Sequence, residues 1–310
     1  MTDPRWLIEG TTYMVTRRCT QRQFLLKPSK FLNHALLFLI ARAAERAGVH
    51  LHAACVLSNH LHILVTDPGK NLSKFMAWLD SMVARVLNAY YGRWENFFAR
   101  PESFNDVKLL DADAVLRKLV YVLTNPVEAG LVSAGARWPG VRLSPRRVGH
   151  PEEIERPNFF FRKNGPVPER VTLNIVKPPV FQDLSDEEYK QLVQTAVLEK
   201  EAEIRKRFEE SKSKFHGEEK VRAQSHKKRP ANCAPRMQRE PHVACRDRWR
   251  RKRALQERKQ FIEDYREALE EFCRRMKKHS ADALKVVFPR GTYWMCERYG
   301  VRCLGSPAPS

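Results

Sequence analysis

Two short stretches of the chain carry side chains that can do chemistry. The first, VLSNHLHILV at 56–65, sets His60 and His62 one residue apart inside an apolar run. On a strand, residues i and i+2 point to the same face. The two imidazoles therefore project side by side, while Leu61, Ile63 and Val65 point the other way into a core. Both sit just after the polar Ser58-Asn59 turn, where a strand enters from a loop. Neutral imidazoles converging from one side are two of the ligands a divalent ion needs, and the rest must come from elsewhere. The same pair also fits plain packing, with one satisfied buried histidine and one at the surface.

The second stretch is LRKLVYVLTNPVEAGLV at 116–132. Tyr121 and Asn125 are four residues apart and share one face of a helix. The Asn125 amide oxygen suits a hard cation, and the Tyr121 phenol is a nucleophile. Each has an ordinary reading by itself. A tyrosine among Leu119, Val120, Val122 and Leu123 is commonly a core residue with its hydroxyl satisfied, and asparagine before proline is a common helix stop. The rival phenols, Tyr90 and Tyr91, lack a polar ligand one turn later beside a proline.

The elements that must position these groups follow from periodicity. The spacing predicts a strand over 12–19 and a helix over 29–47, begun by Ser29 and ended by Gly48. Strands follow over 50–57 and 61–66. A second helix covers 72–90, with Asn71 as its cap and Gly92 after it. An extended segment at 104–110 precedes a third helix that begins near Ala112, is capped by Asp111 and is expected to stop before Pro126. This order is the split β-α-β pattern of ferredoxin-like sheets. The expected class is α+β: an antiparallel sheet with helices on one face, then a mostly helical, basic C-terminal region.

Eight of the 19 prolines fall between Pro139 and Pro179, which marks an irregular connector. Helical patterns return over 186–215 and 255–276, and 286–294 is apolar enough to dock. Between 220 and 260 there are 15 Lys and Arg against three acids, a block with little to bury and expected to be flexible unless bound. The chain is therefore divided into 1–138, which carries the candidate chemistry, a Pro-rich connector over 139–182, and a basic, partly disordered helical region over 183–310. No internal repeat is present.

The formal charge of +20 across 310 residues points to polyanionic partners, nucleic acid first and an anionic membrane surface second. No apolar run approaches the ~20 residues of a membrane span, and the N-terminus lacks the apolar core of a secretory signal. The expectation is a cytoplasmic protein, nucleoid-associated when bound to DNA. Seven scattered cysteines in such a compartment are expected to be free thiols. Cys233, His242 and Cys245 form a weak zinc candidate.

Taken together, TYMVTRRCTQRQFLL, HLH after VLSN, and YVLTNPVEAGLV resemble the signatures of single-tyrosine HUH transposases, and among them the REP-associated tyrosine transposases of the insertion-sequence 200/605 superfamily. The similarity spans roughly residues 10–140. It implies that His60, His62 and Asn125 are metal ligands for Mg²⁺ or Mn²⁺ and that Tyr121 is the nucleophile. It implies cleavage and rejoining of single-stranded, hairpin-forming DNA through a 5′-phosphotyrosine. No nucleotide cofactor is expected, and no G-x-x-x-x-G-K-[ST] loop is present. Arg17, Arg18, Arg22 and Lys118 are candidate phosphate contacts, and Trp249 a candidate base-stacking residue. A homodimer is compatible with this reading, with Tyr121 acting on its own histidine pair or its partner's. Two other readings stand beside it: a non-catalytic, domesticated hairpin-binding protein, and a metal-dependent nuclease that hydrolyses rather than rejoins.

Overall fold

Alternation along two strands builds the centre of the fold. In the computed structural model, which describes residues 3–99, 104–231, 241–278 and 281–304, β1 (Thr11–Arg18) and β3 (His60–Asp67) pair antiparallel, with Thr16 opposite His62 and Arg18 opposite His60. Between them in sequence run α1 (Lys30–Ala47) and β2 (His50–Val56), and β2 returns to β3 through the Ser58-Asn59 turn. α2 (Leu72–Tyr91) then leads to β4 (Asn105–Leu109), which pairs antiparallel with β1. The inner order β2-β3-β1-β4 is the expected ferredoxin-like arrangement. Later segments extend both edges: β5 (Arg142–Leu143) antiparallel on β2, and β8 (Val243–Ala244) parallel on β4.

Neighbouring residues on β1 show which helix covers which face. Arg17 reaches Asp80 on α2, with Nε to Oδ2 at 2.7 Å, whereas Thr16 bonds His62. Successive strand residues point to opposite faces. α2, with α1 packed against it, therefore lies on one face, and α3 (Ala112–Glu128) lies over β2 and β3 on the histidine face. The helices of the ferredoxin-like unit share one face as expected; the appended helix takes the other. Arg17 is thus a structural residue and not a phosphate contact: it is buried, donates to the Ala99 carbonyl at 2.8 Å and lies over the Phe98 ring.

Helix ends depart from the sequence expectation at two places. Asn71 does not cap α2 with its side chain; Asp67, at the end of β3, accepts from the amides of Gly69, Asn71 and Leu72 instead. α3 does not stop before Pro126 but runs one further turn to Glu128. Proline removes one ladder hydrogen bond and crowds the carbonyls of the preceding turn. In the same turn Arg142 Nε donates to the Leu123 carbonyl at 3.0 Å. The stop comes instead at Gly130, whose φ of 67° is left-handed and where a Cβ would lie 3.0 Å from Phe208.

The remaining chain wraps this unit. β6 (Glu152–Glu155) and β7 (Arg170–Leu173) form a hairpin against α1. α4 (Asp186–Glu210), begun by a Ser185–Glu188 capping box, packs along α3 and buries Glu201, which accepts from the Gly135 amide. α5 (Glu218–Ala223) and α6 (Arg248–Lys277) both fall partly in the basic block, so parts of 220–260 are regular structure. A second small core gathers Phe272, Phe288, Met295 and Val301 around β9 (Val287–Phe288), α7 (Trp294–Tyr299) and β10 (Arg302–Cys303). Cys296 and Cys303 are disulfide-bonded, a pairing not expected from sequence, while Cys19, Cys55, Cys245 and Cys273 are free. Among the described residues, no helix is long and apolar enough to cross a membrane.

Candidate active site

The β1–β3 register and the α3 face bring the four sequence candidates together. His60 and His62 have ring centroids 4.8 Å apart, and the Tyr121 ring stands 5.2 Å from that of His62 at a steep angle. Asn125, one turn beyond Tyr121, hydrogen-bonds His60. His62 and Asn125 are buried, whereas Tyr121 is 39% exposed, so its ring is reachable from solvent.

Hydrogen bonds orient both imidazoles. His60 Nδ1 lies 2.7 Å from the Asn59 amide oxygen and donates to it, which leaves Nε2 as the ring's acceptor nitrogen. Asn59 is itself fixed by donating to the Arg22 carbonyl. His62 Nδ1 lies 2.8 Å from Thr16 Oγ1. His62 Nε2 is buried and has no hydrogen-bond partner. Buried polar atoms are rarely left bare, and each exception calls for a cause. Partners of this kind on the far nitrogen are what orient metal-binding histidines. Thr16 and Asn59 were not picked out by sequence reasoning. Thr16 is an ordinary polar position on an alternating strand, and its role depends on a cross-strand register that the local sequence does not state.

The electrostatics keep both rings neutral. Burial pushes His60 down to about 4, and the charges of Arg18 and Arg22 push the same way against the Asn125 hydrogen bond. Burial holds His62 well below the usual histidine range, reinforced by His60, Lys118 and Arg18. Neutral imidazole is the form that binds a metal. Lys118 Nζ lies 5.3 Å from the Tyr121 ring centroid. Of the cations proposed as phosphate contacts, Arg18, Arg22 and Lys118 thus surround the site and Arg17 does not.

The donor set fits a divalent ion: two oriented imidazoles, one of them with a bare buried nitrogen, and an amide oxygen beside them. Among the described residues there is no group of three or more His, Cys, Asp or Glu that would form a closed metal cage. Of the weak zinc candidate, Cys233 lies outside the described residues and the Cys245 thiol bonds Asp111 Oδ2. The rival tyrosines sit elsewhere. Tyr90 stacks on Phe31 and Tyr91 on His226 at the end of α2.

Residues 8–107 match the family model of IS200-like transposases. The matched segment contains β1 to β3 and both histidines and ends before α3. Among solved structures, the chain is similar to a REP-associated tyrosine transposase bound to a REP hairpin, at 20% identity over 45% of this chain and 81% of that one, with a TM-score of 0.39. It is also similar to a provisionally named transposase from Deinococcus radiodurans R1, at 16% identity over 39% of this chain and 95% of that one, with a TM-score of 0.29. No curated protein matches. The likeness to IS200-like transposases thus rests on residues 8–107, about a third of the chain.

Proposed function

We propose that this protein is a single-tyrosine DNA strand transferase of the REP-associated kind, acting on single-stranded DNA beside a hairpin. The observation that carries the reading is the bare, buried Nε2 of His62 beside the solvent-reachable phenol of Tyr121. Tyr121 Oη attacks the scissile phosphorus as the phenolic proton leaves. The bond from phosphorus to the 3′ oxygen breaks, that oxygen takes up a proton, and the DNA 5′ end stays on Tyr121 as a phosphodiester. The 3′-hydroxyl of another strand then attacks the same phosphorus and releases the phenol. No bond energy is lost to water, so no nucleotide is consumed. A phenol with an ordinary pKa near ~10 is a poor nucleophile at neutral pH but a workable leaving group for the return step.

His60, His62 and Asn125 would hold one Mg²⁺ or Mn²⁺ ion, whose charge would polarise the phosphate and offset the developing negative charge. Imidazole is softer than magnesium prefers, so Mn²⁺ is expected to support the higher activity. Lys118 beside the Tyr121 ring favours a nearby phosphate, and Arg18 and Arg22 supply further positive charge. Residues 1–138 carry the chemistry in this reading, 139–182 connect, and 183–310 add binding surface, with β5 and β8 reaching back into the sheet.

The test is to incubate the protein and Mn²⁺ with end-labelled hairpin DNA bearing a single-stranded flank, then separate the products under denaturing conditions. The expected result is a protein–DNA adduct that Tyr121→Phe abolishes. Binding without any adduct would make this a hairpin-binding protein, and cleavage by the Tyr121→Phe variant would make it a hydrolytic nuclease.

A further inference from the structure

The first two turns of α6 read RWRRKR, and every side chain from Arg248 to Arg253 is exposed. Trp249 is 77% exposed. A helix end with no core contact is held by its own propensity and charges, and here the charges oppose it. Cations at a helix N-terminus face the positive end of the dipole. Arg248 lies three and four residues from Arg251 and Lys252, and like charges at that spacing repel. Asp247, which accepts from the amides of Trp249 and Arg250, is the one acid there to offset them. Arg253 has Glu257, but Arg248, Arg250 and Arg251 have no carboxylate partner among the described residues. A polyanion removes this conflict.

The segment is also placed deliberately. β8 pairs with β4, and the Asp111 carboxylate joins two elements at once. Its Oδ1 caps α3 at the Ala114 amide, 2.7 Å away, and its Oδ2 accepts from the Arg246 amide at 2.8 Å and from the Cys245 thiol. Arg246 also faces Asp113 in the first turn of α3. Tyr121 lies ten residues along that same helix, or about 15 Å at 1.5 Å per residue.

The geometry points to α6 residues Arg248–Arg253, which follow the segment that Asp111 anchors at the start of the nucleophile's helix, as a duplex-binding element that grips the phosphates of paired DNA. This rests on the strand-transfer reading for what Tyr121 does, but not for the binding itself. A helix with cations all round its circumference suits the major groove, which admits one α-helix with phosphates on both sides. A single-strand platform would need several aromatics, and Trp249 is alone. A membrane surface would need an apolar face, which these two turns lack.

The experiment measures hairpin binding by the full chain between 50 and 200 mM salt, for wild type and for Arg248→Gln, Arg250→Gln and Arg251→Gln combined. Each lost phosphate contact lowers the slope of log K against log salt by ~0.9, so the expected fall is about two to three, with at least about ten-fold weaker binding at low salt. The triple Lys variant is expected to keep the wild-type slope, which separates lost charge from misfolding. Adduct formation on a stemless oligonucleotide is expected to be unchanged. An unchanged slope in the Gln variant overturns the proposal. So does loss of binding to phosphatidylserine vesicles with hairpin binding intact, which would make the surface a membrane contact. The slope is read without turnover, so a protein that never forms the adduct but shows the slope change sinks the strand-transfer reading and supports this one.

Discussion

The two faces of one sheet each bury a polar constellation with one atom lacking a hydrogen-bond partner, Asp80 Oδ1 on one and His62 Nε2 on the other, and the two differ in what lies beside that atom. On the α2 face, Arg17 meets Asp80, the Ala99 carbonyl and the Phe98 ring, so its charge is met inside the protein. On the α3 face, Thr16 and Asn59 orient two neutral imidazoles, and one of their nitrogens is left bare beside an exposed phenol. Both arrangements grow from adjacent residues of β1. Burial of polar groups alone therefore does not mark a site. A buried imidazole nitrogen with no hydrogen-bond partner, next to a nucleophile that solvent can reach, does.

The sharpest way to break the contrast is to remove the bare nitrogen. His62→Ala is expected to reduce strand cleavage by about 10³-fold, equivalent to about 4 kcal/mol of lost transition-state stabilisation, with a melting temperature close to wild type. The check is cleavage rate beside thermal denaturation.

On the other face the effect should fall on stability instead. Arg17→Met leaves Asp80 buried without its cation and is expected to cost about 3 kcal/mol or more, with activity per folded molecule retained. Burial already pushes the Asp80 carboxyl up to about 7. Asp80 takes up a proton readily once Arg17 is gone, so the loss is expected to be smaller at pH 5 than at pH 8. Denaturant melts at the two pH values measure this.

A third test uses His52, a buried histidine of β2 that is not part of the site. Its Nδ1 donates to the Val176 carbonyl at 2.8 Å, and its Nε2 accepts from Thr66 at 2.7 Å. Burial pushes His52 down to about 4 from its usual 6.5. The unfolded chain therefore takes up a proton before the folded one. His52 contributes full stability above pH ~6.5, and that contribution is lost as pH falls towards 4, by up to about 3 kcal/mol. His52→Gln is expected to flatten this part of the stability–pH curve while leaving metal dependence unchanged.

The smallest expected effect is the most selective. Thr16→Val removes only the partner of His62 Nδ1 and is expected to weaken Mn²⁺ activation about ten-fold, with little change in stability. A manganese titration of cleavage rate reads it.

Much of this was legible because it is local. The HLH alternation and the Tyr-x-x-x-Asn-Pro spacing each lie within one element, so strand and helix periodicity suffice to put each pair on one face. What was missed depends on distant partners. Nothing near Arg17 announces Asp80, 63 residues later on another helix, and nothing near Thr16 announces its cross-strand neighbour His62. Pro126 read as a stop because proline usually is one; Arg142, donating from β5 to the preceding turn, lies beyond the window in which a helix is read. Asp111 was seen as a cap for α3, but its second oxygen, which docks the basic segment, answers to residues more than 130 positions away.

The most direct test of the central claim is covalent capture by wild-type protein. Incubation with Mn²⁺ and hairpin DNA, followed by digestion and mass spectrometry of the DNA-linked peptide, should place the phosphodiester on Tyr121. An adduct on Tyr90 or Tyr91, or none while the DNA is cleaved, would contradict the account.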